Sequence, residues 1–305
     1  MSADEATVAW LRDALHGLRK IEHLTPPEPI IAMLHGHLRT IRAVRRIAGE
    51  TIRGHLIGLA AEYADTLSGL AQEAADVAGA MDWRDRSVEW ALQTGGSYRA
   101  FVVYTNTCRS SLAWWRGHAA GALDAARAVR YAEGPVPFTL RAGGAHYEAR
   151  ALALVGDEHG CMAALEESAR FAERADHEEA PQFMVTLNSF RSGVDFDALS
   201  AVCLTDLGHG ARAAEIMARG LRASDRLGSG RSHHVSLSRL ARAHEVAGDY
   251  EEAATAGTAA IGPAARSGSR TISDLLMLRS RLVAAAGTAT AVRAFSDQLR
   301  ARNID

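Results

Sequence analysis

The chain has few of the residues that indicate a disulfide-linked, metal-bound or membrane-spanning protein. Its 305 residues include three cysteines and seven prolines, and no stretch approaches the ~18 consecutive apolar residues of a membrane span. Cys108, Cys161 and Cys203 are too few and too widely spaced for a disulfide framework or a zinc cluster. Neither sign of charge dominates, since 34 Lys and Arg stand against 36 Asp and Glu. Without a basic excess, direct nucleic-acid binding is not expected.

Hydrophobic and helix-forming residues are abundant instead. Residues of hydrophobic type make up 48% of the chain, which is enough for a large buried core. Alanine is frequent, strand-like alternation is nearly absent, and apolar residues recur at helical spacing, as in Leu237, Leu240 and Ala241. The first 20 residues carry several charges and no unbroken apolar core, so no signal peptide is predicted. We therefore expect an all-α, cytoplasmic protein without a membrane-spanning helix.

A repeat is visible in the spacing of glycines that would end one helix and precede the next. They are 39, 52, 40 and 39 residues apart, at Gly117, Gly156, Gly208, Gly248 and Gly287. Small or short apolar residues stand five positions after and seven positions before each glycine: Ala122, Cys161, Ala213, Ala253 and Val292 after, and Ser110, Ala149, Ala201, Ala241 and Ser280 before. Small side chains at these positions let two helices approach closely. The pattern predicts stacked helix hairpins, in which each pair covers the apolar face of the next.

Polar residues that follow the turn glycines are candidates for helix N-caps. Asp157, Asp249 and Thr288 each come directly after a turn glycine. Their side-chain oxygens can accept a hydrogen bond from the first turn of the next helix. We predict that each caps the helix that follows it.

The turn sequence Gly248-Asp249-Tyr250, with Ala241 and Ala253 around it, resembles the tetratricopeptide repeat (TPR). The repeats here are longer, and the aromatic positions of that family are mostly lost, so the expectation is TPR-like. The resemblance implies a right-handed superhelix of stacked helix hairpins. We expect residues 1–50 to form N-terminal capping helices or a connector, and residues 51–305 to form one continuous TPR-like solenoid.

The last two-thirds is also similar to a more particular group, the C-terminal TPR-like region of actinobacterial XRE-type helix-turn-helix transcriptional regulators. The similarity is carried by 232–254 (SHHVSLSRLARAHEVAGDYEEAA), by 199–222 (LSAVCLTDLGHGARAAEIMARGLR) and by an insertion at 176–197. It implies a region that senses a small molecule or peptide and can form a homodimer. Residues 1–50 look like the connector that follows the DNA-binding domain in such regulators. We therefore expect no DNA-binding domain in this chain, and DNA binding is not carried over.

The residues that would line the concave groove of such a superhelix include several arginines and aromatic residues. In TPR-like folds the first helix of each pair faces the groove, and counting back from each turn glycine gives the positions that face it. The selected residues are Tyr104, Ser111, Trp115, His146, Arg150, Arg242, Glu245 and Arg281. Guanidinium forks bind carboxylates and phosphates. We hypothesise an anionic small molecule or an acidic peptide end as ligand; the alternative is that these side chains only solvate the groove.

No motif for catalysis or for a metal is found. Gly248 occupies the position of the second histidine that would make His244-Glu245 a zinc motif, and His35 and His37 are two residues apart, so they point to different sides of a helix. No catalytic residue, metal or cofactor is predicted. The expected function is a ligand-sensing or regulatory protein; the alternatives are a protein-protein interaction scaffold and a biosynthetic enzyme that reuses the helical pocket.

Overall fold

The computed structural model describes residues 5–21, 27–94, 99–177, 194–224, 231–267 and 269–304. Within these ranges the chain forms α-helices joined by short turns, and no strand occurs in them, so the predicted all-α class is confirmed. The helices are α1 Glu5–Ile21, α2 Pro27–Arg45, α3 Glu50–Glu73, α4 Val77–Leu92, α5 Arg99–Trp115, α6 Ala119–Arg130, α7 Phe138–Leu154, α8 Glu158–Ala175, α9 Val194–Asp206, α10 Gly210–Ser224, α11 Arg231–Ala247, α12 Tyr250–Ser267, α13 Ser269–Ala286 and α14 Thr290–Arg300. No described helix is both long and apolar enough to cross a membrane.

The turn glycines adopt the backbone conformation that the repeat requires. Gly117, Gly156, Gly208 and Gly248 have φ values of 70°, 75°, 88° and 83°, in the left-handed region that is open to glycine without steric cost. At Gly248 the turn closes with hydrogen bonds from Gly248 N to Glu245 O (3.1 Å) and from Asp249 N to His244 O (2.9 Å). This is the usual glycine ending of a helix. Gly287 also follows a helix end, but it is not among the residues with positive φ.

The N-cap predictions differ in outcome. The Asp157 carboxylate accepts a hydrogen bond from Gly160 N at 2.8 Å, so Asp157 caps α8 as predicted. Thr288 was the wrong residue for α14, whose N-cap is Ala289 and has no side-chain bond. The turn there is one residue longer than in the other repeats. That Asp249 caps α12 stays a prediction; its carboxylate lies 3.7 Å from His244 Nδ1.

The small residues at fixed positions in the repeat are almost all buried. Nine of the ten lie in the interior, and Ser280 is exposed. In the first pair the two positions touch each other, because Ser110 Oγ donates a hydrogen bond to Ala122 O at 2.7 Å. The close approach of helices continues at the next contact, where a Cβ on Gly144 of α7 would lie 2.7 Å from the backbone nitrogen of Arg130. The repeat pattern therefore marks real helix-helix contacts.

Packing divides the chain into two units, Met1–Thr105 and Asn106–Asp305. In the first unit, α3 is buried along most of its length and packs against α1, α2 and α4. Its polar residues are paired: Asp65 with Arg84 of α4, and Glu62 with Arg19 of α1. The assignment of 1–50 to capping and of 51–305 to one solenoid stays a prediction.

In the second unit, helices pack in chain order, and the first helices of successive pairs also lie side by side. α7 packs against α8, α9 against α10, and α11 against α12. In addition, α7 contacts α9, α9 contacts α11, and α11 contacts α13. The layer formed by α7, α9, α11 and α13 is called the inner layer below. It brings side chains that are far apart in sequence next to one another.

The contact at Gly144 gives a test of the packing. Gly144→Ala should lower the free energy of unfolding by about 1–3 kcal/mol, because the added methyl group meets backbone atoms of α6 that cannot move aside. Gly69→Ala in α3 is the matched control, since nothing lies within 4 Å of its Cβ position. There the gain in helix propensity should stabilise by roughly 0.5–1 kcal/mol. Urea unfolding curves of both variants check this; equal effects would contradict the close helix contact.

Candidate anion-binding site

Helix α7 is buried on most of its surface, and this forces polar side chains into the interior. Its sequence is rich in glycine and alanine, so neighbouring helices can surround it. His146 and Arg150 are four residues apart and therefore lie on one face. His146 has no exposed surface, and Arg150 retains 2%. Burying a guanidinium costs free energy unless the group is paired. The groups that contact Arg150 therefore determine what this site can bind.

The Arg150 guanidinium lies against the ring of Trp114 and near that of Tyr147. Its central carbon lies 3.5 Å from the ring centroid of Trp114 in α5 and 5.3 Å from that of Tyr147. Such stacking attracts the cation and fixes the plane of the guanidinium. Trp114 is fixed in turn, because its Nε1 donates a hydrogen bond to Asp206 Oδ2 at 3.0 Å. Residues from three helices thus orient one cationic group.

Two nitrogens of Arg150 have no hydrogen-bond partner among the described residues. They are Nε and Nη2, and both are buried. In a guanidinium these two N–H groups lie on the same edge and point the same way, as a fork that can donate two parallel bonds to a carboxylate or phosphate. Leaving buried charged donors without acceptors costs several kcal/mol. The stacked rings satisfy the faces of the group and leave this edge without an acceptor.

Two further arginines of the inner layer add positive charge around Arg150. Arg239 lies on α11 and Arg270 on α13. The pKa of Arg239 is lowered to about 10, first by burial and then by the positive charges of Arg150 and Arg270. The pKa of Arg150 is also lowered, mainly by burial and partly by Arg270. The Arg270 guanidinium lies 5.0 Å from the Trp115 ring. The side chains of Arg239 and Arg270 are partly exposed.

Asp206 and His146, two other titratable groups near Arg150, are shifted toward their neutral forms. Burial raises the pKa of Asp206, although the Trp114 hydrogen bond and the charges of Arg150, Arg242 and Arg239 oppose the shift. Burial also holds the pKa of His146 well below 6.5, with the positive charges of Arg150 and Arg239 acting in the same direction. His146 is therefore neutral at pH 7. The cluster keeps its positive charge on arginines.

Three of the sequence-predicted residues form a separate ion cluster. Glu245 accepts a bond from Arg242 on its own helix, and its Oε2 lies 3.1 Å from Arg281 Nε on α13. Glu245 thus compensates part of the charge of both arginines. The Nε and Nη2 of Arg150, in contrast, have no acceptor among the described residues. Arg242 still acts electrostatically on Asp206, so this cluster lies near the Arg150 site.

The remaining predicted residues are placed differently. Trp115 contacts Arg270. Tyr104 is buried in the first unit, with its ring centroid 5.7 Å from that of Phe101. Ser111 is half-buried on α5. His146 and Arg150 are the predicted pair that the structure brings to one place.

Sequence reasoning missed four residues of the site, Tyr147, Asp206, Arg239 and Arg270, and it selected Trp115 where its neighbour Trp114 is the ring against Arg150. Trp114 stands beside the selected Trp115, and helical phase alone does not tell which ring meets Arg150. Arg239 precedes Arg242 by three residues, so it shares that face of α11, and this signal could have been found. Asp206 and Arg270 depend on the lateral contacts of the inner layer, which one sequence does not reveal. Among the described residues, no group of three or more His, Cys, Asp or Glu could hold a metal ion.

Comparison of the chain with protein-family models and with curated proteins finds no match. The function is therefore argued from the chemistry of the site.

The burial of Arg150 predicts a cost in stability. Arg150→Met, without added ligand, should leave the free energy of unfolding unchanged or raise it by about 1 kcal/mol or more, because an unpaired charge leaves the interior. Arg84→Met is the matched control, since Arg84 is equally buried but paired with Asp65. That substitution should cost about 3–5 kcal/mol, because it leaves the Asp65 charge alone. Similar losses in both variants would show that Arg150 has a stabilising partner within the chain.

The lowered pKa of His146 predicts a specific pH dependence. The folded chain binds this proton less readily than the unfolded chain, so His146 contributes stability above pH 6.5 that is lost as the pH falls below it. The loss approaches about 1.4 kcal/mol per pH unit. His146→Gln should therefore flatten the decline in unfolding free energy between pH 7.5 and 5, while His55→Gln, at an exposed position, should not. Parallel curves for the wild type and His146→Gln would contradict the assignment.

Proposed function

We propose that the chain is a ligand-sensing regulatory protein that binds an anionic small molecule or an acidic peptide end on the inner layer of its second unit. One observation carries the proposal: the buried Arg150 guanidinium is oriented by Trp114 and Tyr147, while its Nε and Nη2 have no acceptor among the described residues. An anion at this edge would supply two charge-assisted hydrogen bonds. Arg239 and Arg270 would add attraction, because both interact electrostatically with Arg150.

The finer architecture belongs to the same proposal. A TPR-like right-handed superhelix is supported by the near-constant glycine spacing, the buried small residues and the lateral contacts of the first helices. In such a superhelix the inner layer would line the concave groove, and the site would face it. The regulatory role rests on the resemblance of 199–222 and 232–254 to the ligand-sensing region of XRE-type regulators. The free thiols Cys108, Cys161 and Cys203 support a cytoplasmic location, where cysteines stay reduced.

A biosynthetic enzyme is a second candidate, favoured by the shifted pKa values of His146 and Asp206 within one cluster. The charges that act on His146 are cations, however, and they weaken it as a base. The site therefore favours binding over proton transfer. An interaction scaffold stays the third alternative, with a protein partner in place of the small molecule.

Native mass spectrometry of the chain, purified from its natural host under non-denaturing conditions, tests the proposal. The wild type should carry one retained molecule with an anionic group, and its mass should exceed the denatured mass accordingly. Arg150→Ala should lose the molecule, since the fork is removed. Arg219→Ala should keep it, because Arg219 is exposed and its guanidinium lies 3.7 Å from Glu215 on its own helix.

Two results would contradict the proposal. Equal retention by the wild type and Arg150→Ala would place the ligand elsewhere. A bare wild-type chain, alone or as a homodimer, would favour the scaffold. Circular dichroism should first show that both variants keep the helical content of the wild type.

A further inference from the structure

The charges around Arg150 do not balance within the cluster. Arg150, Arg239 and Arg270 interact electrostatically. The charge of Arg270 helps to lower the pKa of Arg150, and the charges of Arg150 and Arg270 help to lower the pKa of Arg239. The carboxylates that act on them are Asp206 and Asp274. The three arginines thus outnumber these two acids.

The three guanidiniums come from three different helices of the inner layer, α7, α11 and α13. A carboxylate has two oxygens in one plane and is satisfied by one fork. A phosphate group has three free oxygens arranged around its phosphorus, so it can accept from the Arg150 fork and from other donors at once. Donors on separate helices suit the second shape better than the first.

We infer that this site takes a doubly charged phosphate group of a small molecule, a phosphomonoester, in preference to a carboxylate. The inference rests on the proposed function and adds the chemical class of the ligand. The Arg150 fork binds two phosphate oxygens, and the partly exposed Arg239 and Arg270 neutralise the remaining charge from the solvent side. A dianion offsets more of this positive charge than a singly charged carboxylate does.

The aromatic residues of the site have two functions in this arrangement. Trp114 stacks on the Arg150 guanidinium and holds its plane. The Trp114 Nε1–H also donates a hydrogen bond to the Asp206 carboxyl group. Trp115, the residue after Trp114, contacts the Arg270 guanidinium and helps to hold it in place. The cations are thereby fixed before the ligand arrives, which reduces the ordering cost of binding.

Isothermal titration at pH 7.5 and constant ionic strength tests the inference with phenyl phosphate, benzoate and inorganic phosphate. Phenyl phosphate and benzoate carry the same ring and differ in the charge and shape of the anion. The wild type should bind phenyl phosphate at least ten times more tightly than benzoate, and inorganic phosphate should compete for the same site. Arg239→Ala should remove most of this preference, while Arg219→Ala should retain it.

Arg150→Lys is the key variant, because it keeps the positive charge and loses the fork. We expect phenyl phosphate binding to weaken at least tenfold, with unchanged helical content. Equal or tighter binding of benzoate by the wild type, abolished in Arg150→Lys, would overturn the phosphate class and leave the anion-binding function standing. No binding of any of the three anions, or equal binding by the wild type and Arg150→Lys, would overturn both. Binding of inorganic phosphate that leaves phenyl phosphate unaffected would place the ester elsewhere and overturn the inference.

Discussion

A guanidinium in a protein interior needs an acceptor for its charged N–H groups, and the candidate site in the second unit of the chain depends on this requirement. Arg150 is buried, stacked on Trp114 and close to Tyr147, yet the edge formed by Nε and Nη2 has no partner among the described residues. The free energy lost by desolvating this group must be offset by packing elsewhere. The first unit shows the ordinary solution, since Arg84 is equally buried and pairs with Asp65. This contrast between the two arginines is the basis of the proposal that Arg150 binds a ligand.

The helical repeat explains how such a site can be built without a catalytic motif or a bound metal. Each pair of helices covers the apolar face of the next, so the first helices come to lie side by side. One polar residue from each of several first helices is then enough to assemble a cluster. Trp114, Arg150, Asp206, Arg239 and Arg270 are spread over 157 positions of the sequence and meet through this stacking.

Much of the fold could be predicted from the sequence, because its signals are local. Glycine at the turns, alanine at the helix contacts and apolar spacing each act within one hairpin, and the five glycines predicted to end helices each lie just after a helix end. The exceptions are also local: α14 begins one residue later than the repeat suggests, and Ser280 is exposed where the other small residues are buried. Much of the insertion at 176–197 lies outside the described residues.

The site could be predicted only in part, because it depends on contacts between hairpins. Helical phase identified His146 and Arg150 as one face of α7. It also selected Arg242 and Arg281, but it could not show that Glu245 lies between them and compensates their charge. Nor could it choose Trp114 over Trp115 as the ring on which Arg150 stacks. These contacts depend on how neighbouring hairpins pack side by side. A single sequence contains no periodic signal that predicts them.

The most direct test of the central claim is a crystal structure of the chain soaked with tungstate, a tetrahedral dianion whose metal atom is located by its anomalous scattering. The account predicts an anomalous peak beside Arg150, with tungstate oxygens within hydrogen-bond distance of Nε and Nη2, and no such peak in Arg150→Lys crystals. Tungstate bound only elsewhere, with the Arg150 fork hydrogen-bonded to protein atoms, would contradict it.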